Sequence, residues 1–184
     1  MNETLSVIEK RYSCRDFKPE RIPEEALLAI AKAAVQSPSG MNRQEWRVIV
    51  IKDKKLIEEM DAVGMSTIAK WENKSAYQRM MDRGGSLFYG ATAMVIFAIS
   101  SEDPPLIDCG ILCQSVALAA TSLGIANVIC GMARVVLDGT RGEEFRKRLK
   151  FPEGYQFGCS VLLGYANTEK APHEPDMDKI IVIE

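Results

Sequence analysis

At 184 residues, 47% apolar and 26% charged, the chain has the make-up of one globular domain long enough to bury a sizeable core. Its formal net charge of -2 supplies no global field toward nucleic acid or an anionic membrane. No apolar run approaches the roughly 20 residues of a spanning helix, and the start, Met1-Asn2-Glu3-Thr4-Leu5, lacks the basic-then-apolar layout of a secretion signal, so a cytoplasmic location is expected.

Taken in order, Thr4 to Lys10 reads as a short helix with Thr4 as its cap and Leu5 and Ile8 on one face. Arg11-Tyr12-Ser13-Cys14-Arg15-Asp16-Phe17 follows. In an extended stretch Arg11, Ser13 and Arg15 share a side, giving two guanidiniums and a hydroxyl suited to a phosphate and a polar ring edge. The plainer reading is a solvated surface. Pro23 to Gln36 is a helix, with Pro23 in the first turn and Glu24 and Glu25 at the positive end of the dipole. Its apolar face is broad: Leu27, Leu28, Ile30, Ala31, Ala34 and Val35.

Ser37-Pro38-Ser39-Gly40-Met41-Asn42-Arg43-Gln44-Glu45-Trp46 joins that helix to a β-branched strand, Trp46 to Lys52. A loop of small, hydroxyl and amide residues lets backbone amides approach a flat ligand, and Asn42 and Gln44 each offer donors and an acceptor. The alternative is an ordinary helix stop and turn. Asp53 caps a helix expected to end near Met60. From Gly64 to about residue 90 the periodicity weakens into broken helical pieces, either an ordinary excursion or a cover over a cleft.

Ala93 to Ile99 is a second buried strand. Pro104 and Pro105 open a helix through about Leu123 that is apolar nearly all round, which places it in a large dimer interface or at the centre of a monomeric core. Asn127 to Gly131 is short and extended, Arg141 to Lys150 helical, and Gln156 to Tyr165 another strand. The run Ile180-Ile181-Val182-Ile183 reads as a strand with no hairpin partner in sequence, able to add to a sheet edge of this or a second subunit. The five cysteines, Cys14, Cys109, Cys113, Cys130 and Cys159, contain no C-x-x-C spacing and are expected as reduced, mostly buried thiols. A thiol-based redox protein using Cys109 and Cys113 is a minor alternative.

Arg11-x-Ser13-x-Arg15-x-Phe17 followed by Ser37-Pro38-Ser39-Gly40-x-Asn42-x-Gln44-x-Trp46 resembles the FMN-dependent nitroreductase family. So do Phe88-Tyr89-Gly90-Ala91, the apolar helix with Asp108 and Gln114 leading to Leu123-Gly124, and Leu163-Gly164-Tyr165. The resemblance spans nearly the whole chain. It implies a single α+β domain over 1–184, a mixed, mainly antiparallel sheet packed among helices, in an obligate homodimer whose C-terminal arm, 166–184, crosses to the partner. FMN would lie at the subunit interface. Arg11 and Ser13 match positions holding its phosphate, and Arg15 matches a cation near the N1/O2 edge of the ring. Pro38, Ser39 and Gly40 match a loop reaching the flavin, that of the other subunit. Asn42 matches a contact to the pyrimidine edge, and Cys130-Gly131 a turn whose backbone amide faces N5/O4. Tyr12, Met41, Gln44 and Ile129, inside these motifs, count with them as cofactor-binding positions. The family's late Lys or Arg is replaced here by His173, with Lys170 nearby, and the stretch around Gly84 and Gly85 lacks polar residues that larger members use. The implied activity is hydride transfer from NAD(P)H and reduction of a nitro compound, quinone or similar electrophile by alternation. A flavin-binding or flavin-sensing protein, a dehalogenase and a flavin lyase are the alternatives.

Overall fold

The computed structural model describes residues 2–168 and 170–183. Four strands, β1 (Trp46–Ile51), β2 (Ala93–Ser100), β3 (Ala126–Ile129) and β4 (Tyr155–Gly164), form one sheet in the order β1-β2-β4-β3, antiparallel at every pairing. A one-residue parallel bridge, Ser13 to Asn127, continues the sheet beyond β3.

The continuous apolar run of β2 is explained by its central place, since Ala93 to Ile99 are all buried. Alternate residues serve opposite layers. Met94 and Ile96 point into one core with α3 (Lys54–Ile68), α4 (Ser75–Met81), α6 (Arg134–Leu137) and α7 (Gly142–Arg148). Val95, Phe97 and Ile99 point into the other with α2 (Glu24–Val35) and α5 (Leu106–Ser122). Between Phe97 and Ala98 the pairing to β4 slips, Phe97 meeting Cys159 and Ala98 meeting Phe157, so Gly158 is the extra residue of a bulge.

Three expectations need correction. Asn2, not Thr4, caps α1 (Glu3–Lys10), its Oδ1 accepting from the Leu5 amide at 2.9 Å. Asp53 caps α3 as expected, but the helix runs on to Ile68, because buried Gly64 and Ile68 continue the inward face of Ile57 and Met60. Gly64 is where Leu87 packs: a Cβ there would stand 2.5 Å from the Leu87 Cδ2. On α2 only Leu27, Ile30 and Ala34 are buried, while Leu28 and Val35 face out. Among the described residues, Ile180 to Ile183 pair with no strand and are exposed. Burial of α5 is one-sided too. Cys109, Leu112, Cys113, Val116, Ala117 and Ala120 are buried, yet Leu106 and Ile107 are 67% and 82% exposed. Among the described residues, no helix is long and apolar enough to cross a membrane.

Candidate functional site

The chemistry-bearing residues collect at the two ends of α5. Where α5 finishes, its Thr121 borders a cavity of about 460 Å³ that also meets the end of α1 and the start of β3. Lys10, Arg11, Lys18 and Lys170 line it together with Tyr12, Asn127 and Tyr165. The segment 11–18 is extended and held along its length. The Cys14 amide donates to the Asn127 carbonyl at 2.9 Å, Phe17 to Tyr89 at 3.3 Å and Lys18 to Tyr165 at 2.8 Å. Phe17 lies against Gly164, where a Cβ would stand 2.7 Å from its ring. Asp16 accepts from the Asn167 and Thr168 side chains at 3.1 and 3.3 Å, which fastens the start of the C-terminal arm to the same segment.

Four cations around one opening make a cradle for a dianion. Among the described residues none of the four is in an ion pair. Asn127 is buried in the wall. Its Nδ2 donates to the Ala117 carbonyl and Thr121 Oγ1, both at 3.0 Å, while its Oδ1 has no partner. That acceptor is shut inside the wall, so Asn127 shapes the cavity by tying β3 to the end of α5.

Further along β3 comes the turn at Cys130. The Cys130 amide donates to the Ser160 carbonyl at 2.8 Å, and the Ser160 hydroxyl donates to the Cys130 carbonyl at 2.6 Å. Both backbone polar groups of Cys130 are used, so the amide open to a ligand is that of exposed Gly131. Burial pushes the Cys130 thiol up to about 11, which removes it as a nucleophile near neutrality. From Asn127 to Gly131 the edge runs roughly 13 Å, and exposed Ile129 lies between.

The loop 37–46 sits at the other end of α5. The Gly40 amide donates to the Asp108 carboxylate at 3.3–3.4 Å, in the first turn of α5. The Ser37 hydroxyl donates to that of Ser115 at 2.8 Å, and Gln44 Nε2 donates to Asn42 Oδ1 at 2.8 Å. Arg43 pairs with Glu45 and Asp103. Three non-glycine residues, Met41, Asn42 and Gln44, have φ of 49°, 56° and 52°. Such conformations cost about 1–2 kcal/mol each and cluster where a backbone is held for a purpose. Met41 is 87% exposed at the tip, beside a second cavity of about 400 Å³ lined by Gly40, Arg43, Pro105 and Ile107.

The fold thus brings Arg11, Tyr12 and Lys170 together at the cavity, with Ser13 and Arg15 on the same segment and Ile129, Cys130 and Gly131 along the adjoining edge. It sets Pro38, Ser39, Gly40, Met41, Asn42 and Gln44 apart from them. Along α5, Thr121 at the cavity stands about 20 Å from Asp108, which holds Gly40, and about 9 Å from Ser115, which holds Ser37. His173 is exposed on the arm and is not among the cavity-lining side chains. Lys10, Lys18 and Asn127 went unread in the sequence. A lysine beside an arginine was the available signal for the first, and nothing local marked the other two.

The profile of the Nitroreductase family matches residues 8–165, and the chain belongs to that family. It is 61% identical to a nitroreductase of Desulfitobacterium hafniense whose crystal structure holds bound FMN; the match covers 100% of both chains with a TM-score of 0.97. An FMN-bound nitroreductase of Bacteroides fragilis is 26% identical over 100% of both chains, with a TM-score of 0.90. A protein of Archaeoglobus fulgidus, provisionally named an NADH dehydrogenase/NAD(P)H nitroreductase, is 29% identical over 182 residues, covering 96% of this chain and 92% of that one.

Proposed function

We propose that the chain is an FMN-dependent oxidoreductase that takes hydride from NAD(P)H and passes it to a small electrophile, a nitro compound or quinone, with the two substrates using one slot in turn. The observation that carries the reading is the cationic cavity at the end of β3, continuous along that edge with the open Gly131 amide. FMN, when bound, supplies the two-electron chemistry that the side chains here lack.

The residues present fit that group. Lys10, Arg11, Lys18 and Lys170 answer the phosphate charge, and Ser13 adds a hydroxyl. Arg15 opposes negative charge at the pyrimidine end, and the Gly131 amide donates at the far end of the edge. We assign the phosphate role at the arm to Lys170 in place of His173.

None of the loop residues 38–44 is among the residues that line this cavity. The loop would therefore serve the site of a second copy, which makes the working unit a homodimer. Exposed apolar residues support this: Leu5 and Ile8 on α1, Leu28 and Val35 on α2, Leu106 and Ile107 on α5. The arm with Ile180 to Ile183 would extend over the partner.

The test is a visible absorption spectrum of the purified protein before and after anaerobic NADH or NADPH, with sedimentation to give the assembly. A yellow dimer that bleaches is expected. A colourless protein that refuses added FMN would overturn the reading. Parallel double-reciprocal lines are expected in steady-state kinetics, and intersecting lines would oppose the one-slot alternation.

A further inference from the structure

The core layer between the sheet and α5 holds three thiols that the proposed reaction does not use. Cys109 and Cys113 lie one turn apart on the buried face of α5. Cys159 stands opposite on β4 and keeps part of its surface in solvent. The approach is close, because the bulge puts Gly158 where a Cβ would lie 2.8 Å from the Cys109 Sγ. The Cys113 thiol is within hydrogen-bonding reach of both Cys109 and Cys159. Among the described residues, no group of three or more His, Cys, Asp or Glu is arranged to hold a metal ion.

The three thiols are not equivalent. The hydrogen bond from Cys113 lowers the Cys159 thiol from its ordinary value, and the Arg134 charge works in the same direction against the cost of burial. Arg134 is held there by donating to the Phe157 and Gly158 carbonyls at 3.2 and 3.4 Å. Cys113 moves up, through its hydrogen bonds to Cys109 and Cys159 and then its burial. Cys159 is also the one cysteine that is not fully buried, so an oxidant from solvent meets it before Cys109 or Cys113.

We propose that Cys159 is a peroxide-reactive thiol and that Cys113 is its resolving partner, the two closing into a disulfide within one chain. The oxidant is a hydroperoxide. The Cys159 thiolate attacks one peroxide oxygen, an S–O bond forms, the O–O bond breaks, and the leaving hydroxide takes a proton to become water. The Cys113 sulfur then attacks the Cys159 sulfur, the S–S bond forms, the S–O bond breaks, and the departing hydroxide takes the Cys113 proton and leaves as a second water. The sum is two thiols and one hydrogen peroxide giving one disulfide and two waters.

The test treats reduced, desalted protein with a few equivalents of hydrogen peroxide. The protein is then unfolded in an alkylating agent, digested and analysed by mass spectrometry. A Cys113–Cys159 linked peptide is expected, cleaved by dithiothreitol, with Cys14, Cys109 and Cys130 alkylated. Cys113→Ala should trap sulfenic acid on Cys159, captured by dimedone. Cys159→Ser should slow peroxide-driven thiol loss by at least about tenfold, with an unchanged circular dichroism spectrum. Uniform alkylation after peroxide would overturn the proposal, as would linkage between two chains or wild-type Cys159 passing on to sulfinic acid without the linked peptide. The mapping on wild-type protein needs no variant to fold and no flavin turnover, so its outcome is separate from that of the proposed reaction.

Discussion

The two ends of α5 are built by different means. At its C-terminal end the cradle relies on charge: four cations around one cavity, on a backbone segment whose bridges and hydrogen bonds are ordinary extended pairings. At its N-terminal end the loop relies on backbone shape: three left-handed non-glycine residues held by Asp108, Ser39 and Ser115. In the proposed site the cradle would select a ligand by charge and the loop by contour. A site made from one of each, contributed by two copies, requires both properties of its ligand at once.

Substitutions that separate charge from contour would break this comparison. The largest effect is expected for Arg11→Ala. Losing one charge-assisted contact to a phosphate costs about 2–3 kcal/mol, so FMN affinity should fall by roughly 30- to 150-fold, read by fluorescence titration, with thermal stability unchanged. An equal loss of stability would mean that Arg11 holds the fold.

Next comes Asp61→Ala, which acts on the cradle from behind. Asp61 accepts from the Phe88 amide at 2.7 Å and the Ser86 hydroxyl at 3.1 Å, fixing the turn whose Tyr89 carbonyl receives the Phe17 amide. Leaving those donors unpaired should destabilise the fold by about 2 kcal/mol in denaturant titration. Desolvation by burial is the leading cause and raises this carboxyl in the folded state. Its proton linkage therefore favours folding below the ordinary aspartate range and fades as pH rises through the raised folded value. Asp61→Asn, which keeps an acceptor, should flatten that slope. A wild-type stability that rises across the same window, with no change in the variant, would refute the assignment.

Met41→Gly addresses contour alone. Releasing one left-handed residue should raise stability by up to about 1 kcal/mol, while turnover falls and FMN stays bound. Weaker FMN binding of the size seen for Arg11→Ala would erase the distinction between the two ends. The smallest effect belongs to His173→Ala, with affinity changing by no more than about twofold at any pH, since exposed ionic contacts contribute little. A pH-dependent loss would return His173 to the phosphate site.

Periodicity and punctuation carried most of the architecture. β2 was legible because both its faces are covered, and Asp53 because a capping carboxylate has a fixed place. The end of α3 was missed because Gly64 looks like a breaker in sequence, whereas Leu87, 23 positions later, needs the space it leaves. The C-terminal run looked like a strand from its residue types alone, and strand status depends on a partner that the chain does not contain. At the site, Arg11, Ser13 and Arg15 were readable from their alternation. Lys170 was named only through the family resemblance, and Lys18 was not readable at all, because the β-bridge between Phe17 and Ala166 is what brings the two together. Nor does any residue type announce a left-handed Met41.

The fastening of Asp16 to Asn167 and Thr168 sets tether lengths for everything after it. Lys170 is two residues past Thr168, so its Cα can lie no more than about 7 Å from the anchor. It is confined to its own cradle at high effective concentration. Ile180 is twelve residues past the anchor, and the same arithmetic gives it a reach of about 40 Å. One short graft of hydrogen bonds thus divides the arm into a near part that can serve only the home site and a far part long enough to lie across a neighbour.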